Sequence, residues 1–331
     1  MTPAPEPMVE ILRGGFVESR HFGHAVVMNS RGEVVEAWGD PAKIILPRSS
    51  AKMIQALPLL ESGAGANLGD EHLALACASH SGEQRHIERV ERWLDDLGLD
   101  ETALCCGPQP SGDKALRHEM IRDQKRPRRV MNNCSGKHAG FLHLAQHLGA
   151  DLNYVDPDHP IQARVKATLE ELCEEESPGF GIDGCSAPNF AISLTGLARA
   201  MAKFAPSGSG HGARDAAMAK LHQAMMANPM LVSGEGRACA TLMTAANGQA
   251  AVKTGAEGVF VAILPGKELG IALKIEDGAT RASEVAITAL LARYGVIPSD
   301  HPMLDRPIKN WDGLVTGAER AVQGLSGGKA F

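Results

Sequence analysis

The chain has 331 residues, 44% hydrophobic and 22% charged, which is enough apolar material to bury one large core or two modest ones. Its net charge of -6, with basic residues scattered apart from KRPRR at 125–129, argues against a nucleic-acid surface. The apolar runs around Ile44, Val259 and Val285 are far shorter than a bilayer span, and the acidic, proline-rich opening MTPAPEPMVE has no export-signal pattern, so a cytoplasmic location is expected. Seven cysteines, an odd number in a reducing compartment, make a disulfide framework improbable; each thiol belongs to a core, a metal site or a redox site.

Extended segments come first. Val9 to Leu12, His24 to Asn29 and Val34 to Trp38 alternate as strands, the last two joined by the NSRG turn, and Ile44 to Leu46 continues the extended character. From about residue 50 the period becomes helical, with helices expected over 50–60, 70–78, 83–97, 138–148, 160–175, 190–204 and 214–227. SGSGHG at 207–212 is linker-like but too short to mark a domain boundary. Strands return at Ala251 to Thr254, Gly258 to Leu264 and Leu269 to Ile275, before a helix from about Arg281 to Arg293. The expectation is therefore an α/β (α+β) unit over residues 1–331. A sheet region (about 8–50 and 250–295) is built from both ends of the chain, with a helical region (about 51–227) inserted between them.

RSSAKMIQALPLL at 48–60 carries the first chemical pattern. Residues three apart share a helix face, so Ser49 can meet Lys52. The helix N-terminus favours developing negative charge, and a desolvated lysine can act as base. Ser-x-x-Lys recurs at Ser111 to Lys114 and Ser326 to Lys329, but only the first copy follows a strand and opens an apolar helix; the plain alternative is that Ser49 or Ser50 caps that helix. Ser-x-x-Lys with a second serine motif and Lys-Thr-Gly is the set found in serine β-lactamases and penicillin-binding proteins. Here SHSGE at 79–83 supplies the second serine, Ser81, and KTG at 253–255 supplies Lys253. Ser81 to Gln84 also reads as a capping box for the following helix, and Lys253 as a solvated strand-end lysine. An N–H just after KTG would join the Ser49 N–H as an oxyanion hole.

Two further loops, NNCSGKHAGF (132–141) and GIDGCSAPNF (181–190), each lead with Gly, Asn and Ser and hold one cysteine. Cys134 and Cys185 are either a thiolate pair for zinc or two buried residues. His143 and His147 lack the glutamate of a zinc peptidase and lie off the buried stripe of their helix, so they are not read as ligands.

Together LPRSSAKMIQALPLLESGA, ASHSGE, NNCSGKHAGFL, DGCSAPNF and KTGAEGVF, in this order and spacing, resemble the rhizobial-type (class 3) L-asparaginases over nearly the whole chain. That resemblance implies a fold similar to serine β-lactamases, penicillin-binding proteins and serine-type glutaminases. It further implies hydrolysis of L-asparagine through a serine acyl-enzyme, with Ser49 and Lys52 as one Ser–Lys pair and Ser81 and Lys253 as a second. Cys134, Lys137 and Cys185 would hold one zinc ion that positions substrate, with Lys137 also in the substrate-binding set. Asp183 would lie close to the reacting groups, Arg48 and Asp183 are the substrate-binding candidates for the α-carboxylate and the α-ammonium of an amino-acid substrate, Arg48 by position only, and the protein would be a homodimer. The chain has neither the Thr-Asp-Thr motif of bacterial threonine-type asparaginases nor the Gly-Thr cleavage site of plant-type ones. The rival readings are a glutaminase or other amide hydrolase on the same fold, and a zinc-stabilised binding protein in which the serines only cap helices.

Overall fold

A computed structural model describes residues 3–206, 208 and 212–326; four residues of the linker-like 207–212 stretch, and Lys329 of the last Ser-x-x-Lys, lie outside them. The chain opens with β1 (Glu6–Arg13), β2 (Phe16–Asn29), β3 (Val34–Trp38) and β4 (Ile44–Ile45). The helical stretch runs through α1 (Lys52–Glu61), α2 (Asp70–Ala76), α3 (Gln84–Asp96), α4 (Lys114–Arg122), α5 (Ser135–Leu148) and α6 (Pro160–Cys173). Three short strands follow, β5 (Phe180–Ile182), β6 (Pro188–Phe190) and β7 (Ile192–Ser193), then α7 (Leu194–Phe204), α8 (Ala213–Ala227), α9 (Pro229–Val232) and α10 (Ala238–Ala246). β8 (Ala251–Thr254), β9 (Val259–Leu264), β10 (Leu269–Ile275), α11 (Thr280–Arg293), β11 (Asp305–Lys309) and β12 (Val315–Ala321) complete the order.

Both ends of the chain enter one eight-stranded antiparallel sheet, in the order β11-β12-β1-β2-β10-β9-β8 with β3 paired to β2. The expected architecture, an antiparallel sheet from both termini packed with helices and a helical middle, is the observed one. All of β9 is buried, because α7 and α11 both pack against β9 and β10. A strand covered on both faces reads as a continuous apolar run, as VFVAIL does. Gly270 is what lets α7 lie on β10, since a Cβ there would stand 2.1 Å from Ala202 N. Gly136 does the same for α5 on α2, where a Cβ would meet Leu75 O at 2.4 Å. No described helix is long and apolar enough to cross a membrane.

Some elements differ from the sequence reading. The helix expected over 190–204 starts at Leu194, because Pro188–Phe190 pairs with β5 and Ile192–Ser193 with β4. Strands β11 and β12, absent from the sequence reading, carry mixed polar sequences (DRPIK, VTGAERA) and gain their partner only through β1.

Candidate active site

The strand–helix junction that carries Ser49 is a 3-10 turn, Arg48–Ala51, leading into α1. The two serines divide the work. Ser50 is buried and its Oγ donates to Pro47 O at 2.6 Å, so the structural role falls to it. Ser49 is half-buried, and its hydroxyl has no hydrogen-bond partner among the described residues. Arg48 has φ 54°, a left-handed conformation that costs a non-glycine residue about 1–3 kcal/mol. Its N–H donates to Asn189 Oδ1 at 3.1 Å, while its guanidinium donates through Nε (3.1 Å) and Nη2 (2.8 Å) to Asp183 Oδ1. Those bonds over-determine the strained residue and fix Ser49 beside it. On the other side Gly255, at the end of β8, lies so close that a Cβ would stand 2.6 Å from Pro47 O. Its own N–H is spent on Val259 O at 2.7 Å.

Lys52 is the first residue of α1 and Lys253 lies on β8; both are essentially fully buried. They meet at one hydroxyl. Lys52 Nζ donates to Ser79 Oγ at 3.0 Å, and Lys253 Nζ lies 2.8 Å from the same oxygen. Lys52 also donates to Ala78 O and to Cys134 Sγ (3.2 Å), and Lys253 to Thr254 O (2.9 Å). Burial pushes Lys253 down to about 7, helped by the charges of Lys52 and Arg237, against the pull of Cys239. Both amines meet at the Ser79 hydroxyl, giving the chain Lys52–Ser79–Lys253, along which Lys253 can take the Ser79 proton whenever it is neutral.

This corrects the expected second pair. Lys253 bonds to Ser79, not to Ser81, whose Oγ donates to Glu83 Oε1 at 2.5 Å. Glu83, not Ser81, is the N-cap of α3, and its N–H donates to His86 Nδ1 at 3.1 Å. The Ser81–Gln84 capping box thus moves two residues along. Lys253 is correspondingly a buried site lysine and not a solvated strand end. Ser49 and Lys52 share the turn as expected, but Lys52 hydrogen-bonds to Ser79 and not to Ser49. Sequence pattern assigned Ser79 no role beside Ser81, since an irregular segment has no period from which to choose between 79 and 81.

The two cysteine loops converge behind this triad. Cys134 precedes α5, its N–H donating to Asn132 Oδ1 at 2.9 Å, and Cys185 lies in the tight turn closed by Ser186 N–H to Asp183 O at 2.8 Å. Lys137 Nζ lies 3.2 Å from Cys185 Sγ, and all three side chains are buried. A hydrogen bond from the Cys134 thiol holds Cys185 well below the ordinary thiol range despite burial, with Lys137 nearby; Cys134 is pushed up in exchange. His138 lies close to Cys185 too, with Nδ1 2.8 Å from the Tyr154 hydroxyl and a buried Nε2 that has no partner among the described residues. Among the described residues no three His, Cys, Asp or Glu side chains form a metal cluster. Two sulfurs, one amine nitrogen and an orphaned imidazole nitrogen nevertheless fit zinc, which prefers four N and S donors.

Solved structures with a related arrangement of elements are distant. One is a protein named Mglu in its native form (13% identity, 87% of this chain and 69% of that chain, TM-score 0.47). Another is a β-lactamase from Mycobacterium bovis (13%, 82% and 94%, TM-score 0.41), and a third a D-alanine carboxypeptidase from Burkholderia cenocepacia (11%, 80% and 90%, TM-score 0.40). No curated protein sequence matches the chain. The family model for L-asparaginase II matches residues 9–321, and the chain therefore belongs to the L-asparaginase II family of amidohydrolases, in agreement with its motifs.

Proposed function

We propose that the protein hydrolyses L-asparagine to L-aspartate and ammonia through an acyl-enzyme on Ser49. The observation that carries this reading is the pair of buried lysines sharing Ser79 Oγ, next to a serine hydroxyl that has no structural employment. Ser49 attacks the side-chain amide carbon, and its proton enters the Lys52–Ser79–Lys253 chain. The Ser49 N–H and an N–H of the backbone beyond Gly255 would hold the oxyanion. The same chain then delivers the proton to the leaving nitrogen, and ammonia departs. Water attacks the ester in the reverse sense and restores Ser49.

Cys134, Lys137 and Cys185 would hold zinc, with His138 beside them. Zinc bound there would supply a Lewis-acidic charge for a substrate oxygen. Lys137 donates to the metal only when neutral. The Arg48–Asp183 pair keeps the turn carrying Ser49 in register with the loop carrying Cys185.

Glutamine is longer by one methylene, a difference that pocket contacts discriminate by only about 1–3 kcal/mol, so partial activity on it is expected. Ammonia release from L-asparagine, L-glutamine and simple amides, beside Ser49→Ala, tests the reading. Turnover of L-asparagine that vanishes in Ser49→Ala supports it. Turnover of glutamine alone replaces the substrate but keeps the chemistry, and release from no amide leaves a zinc-binding protein.

A further inference from the structure

A cleft of about 670 Å³ opens beside the second serine loop, lined among others by Ser81, Glu83, Arg85, Asp113, Glu235 and Arg237. Most of its charges are already matched. Glu83 accepts from Ser81 and from Glu235 N–H (2.8 Å) and forms an ion pair with Arg85 (2.9 Å), and Asp113 caps α4 by accepting from Ala115 N–H at 2.8 Å. Two are not matched: the side chains of Glu235 and Arg237 make no hydrogen bond or ion pair among the described residues.

The loop that carries them is fixed. Ser79 N–H donates to Val232 O (2.9 Å), Ala240 N–H donates to Ser233 Oγ (3.0 Å), and Arg237 N–H donates to Gly234 O (3.4 Å). Gly234, at φ 113°, lies so near Ser81 that a Cβ would meet its Oγ at 2.0 Å. The loop is thus bolted to the segment that holds Ser79, and it leads through α10 to β8 and Lys253. Arg237 is close enough for its charge to act on both Lys253 and His80. Meanwhile Arg48, the expected anion receptor, is committed through two donors to Asp183.

From this geometry we infer that Arg237 is the substrate-binding residue for the carboxylate at the end of the molecule remote from the scissile amide. The unpaired Glu235 gives the cleft the opposite charge for an α-ammonium, so the pair is complementary to an α-amino acid. An arginine fork suits a carboxylate because it donates two parallel hydrogen bonds. The inference rests on the amidase reading and narrows its substrate class to amides bearing an anionic tail.

The test compares ammonia release from L-asparagine, succinamate (carboxylate, no amine) and 3-aminopropanamide (amine, no carboxylate) by the wild type, Arg237→Ala and Arg237→Lys. Arg237 is exposed and bonds nothing in the fold through its side chain, so both variants should melt with the wild type. The expected result is a rise of about 10- to 100-fold in KM for the two carboxylates in Arg237→Ala, with a partial return in Arg237→Lys. The preference for L-asparagine over 3-aminopropanamide should shrink by the same factor. An active enzyme whose preference survives Arg237→Ala overturns the role of Arg237 and leaves the amidase reading intact. If the wild type releases ammonia from nothing, the amidase reading fails; calorimetry with L-aspartate then decides, binding lost in Arg237→Ala keeping the carboxylate site and absent or unchanged binding overturning it.

Discussion

Ser79 is the residue on which the account turns, because two buried lysines converge on it and neither reaches Ser81. Ser79→Ala removes the bridge and leaves both Nζ groups short of a partner. Its kcat should fall about 10²- to 10⁴-fold, the usual worth of positioned proton transfer. Ser81→Ala loses one bond to Glu83, so its effect on kcat should be far smaller; steady-state kinetics on both variants decides between them. The lysines add a pH dependence. The folded chain holds Lys253 near 7, below its ordinary value, so between about 7 and that value the unfolded chain binds more protons. The contribution of Lys253 to stability should therefore rise with pH across this window and be lost as pH drops through 7, whereas the buried thiols of Cys77 and Cys106, pushed up by burial, act in the opposite sense at the alkaline end. The activity needs a neutral Lys253, so kcat/KM should rise on a limb centred near 7. Profiles of kcat/KM and melting temperature against pH check both, the melting temperature of the wild type gaining on that of Lys253→Met as pH rises from 7.

At the scale of elements, the site depends on close approaches that only glycine permits. Gly136→Ala forces α5 away from α2, since its Cβ would meet Leu75 O at 2.4 Å and the backbone cannot yield cheaply. Overpacking of this kind costs about 1–3 kcal/mol, and here it also displaces Cys134 and Lys137, which flank the substituted residue. The expected outcome is a lower melting temperature together with weaker zinc retention, measured by calorimetry and by metal content after dialysis. Cys185→Ser should lose zinc with much less effect on the melt of the metal-free chain, which separates the two causes. The elements themselves were legible where one face is apolar and the caps are strong, as in α6, which has Pro160 in its first turn. Helices α4, α9 and α10 were not, being short or flanked by Gly and Asp that read as loop.

For the whole molecule, sequence pattern identified the sheet's central strands because burial on both faces leaves an apolar run that no packing partner is needed to recognise. It missed β11 and β12 because a polar edge strand is defined by its neighbour, and β1 lies about 300 residues away in the chain. A chain ending near residue 300 should therefore lose the cover of β1 and melt well below the full protein, as circular dichroism would show. The site followed the same division. Ser49, Lys52, Lys253, Cys134 and Cys185 stood out from their motifs and Lys137 came from the family resemblance, whereas the choice of Ser79 over Ser81, and the binding of Arg48 to Asp183, depend on contacts between segments far apart in sequence.

The most direct test of the central claim is to quench the enzyme in acid during turnover of L-asparagine and map covalent adducts by peptide mass spectrometry. An aspartyl ester is expected on the peptide containing Ser49, accumulating further in Ser79→Ala where that substitution slows the second step more than the first, and absent from Ser49→Ala together with ammonia release. Continued turnover by Ser49→Ala with no ester on any serine would contradict it.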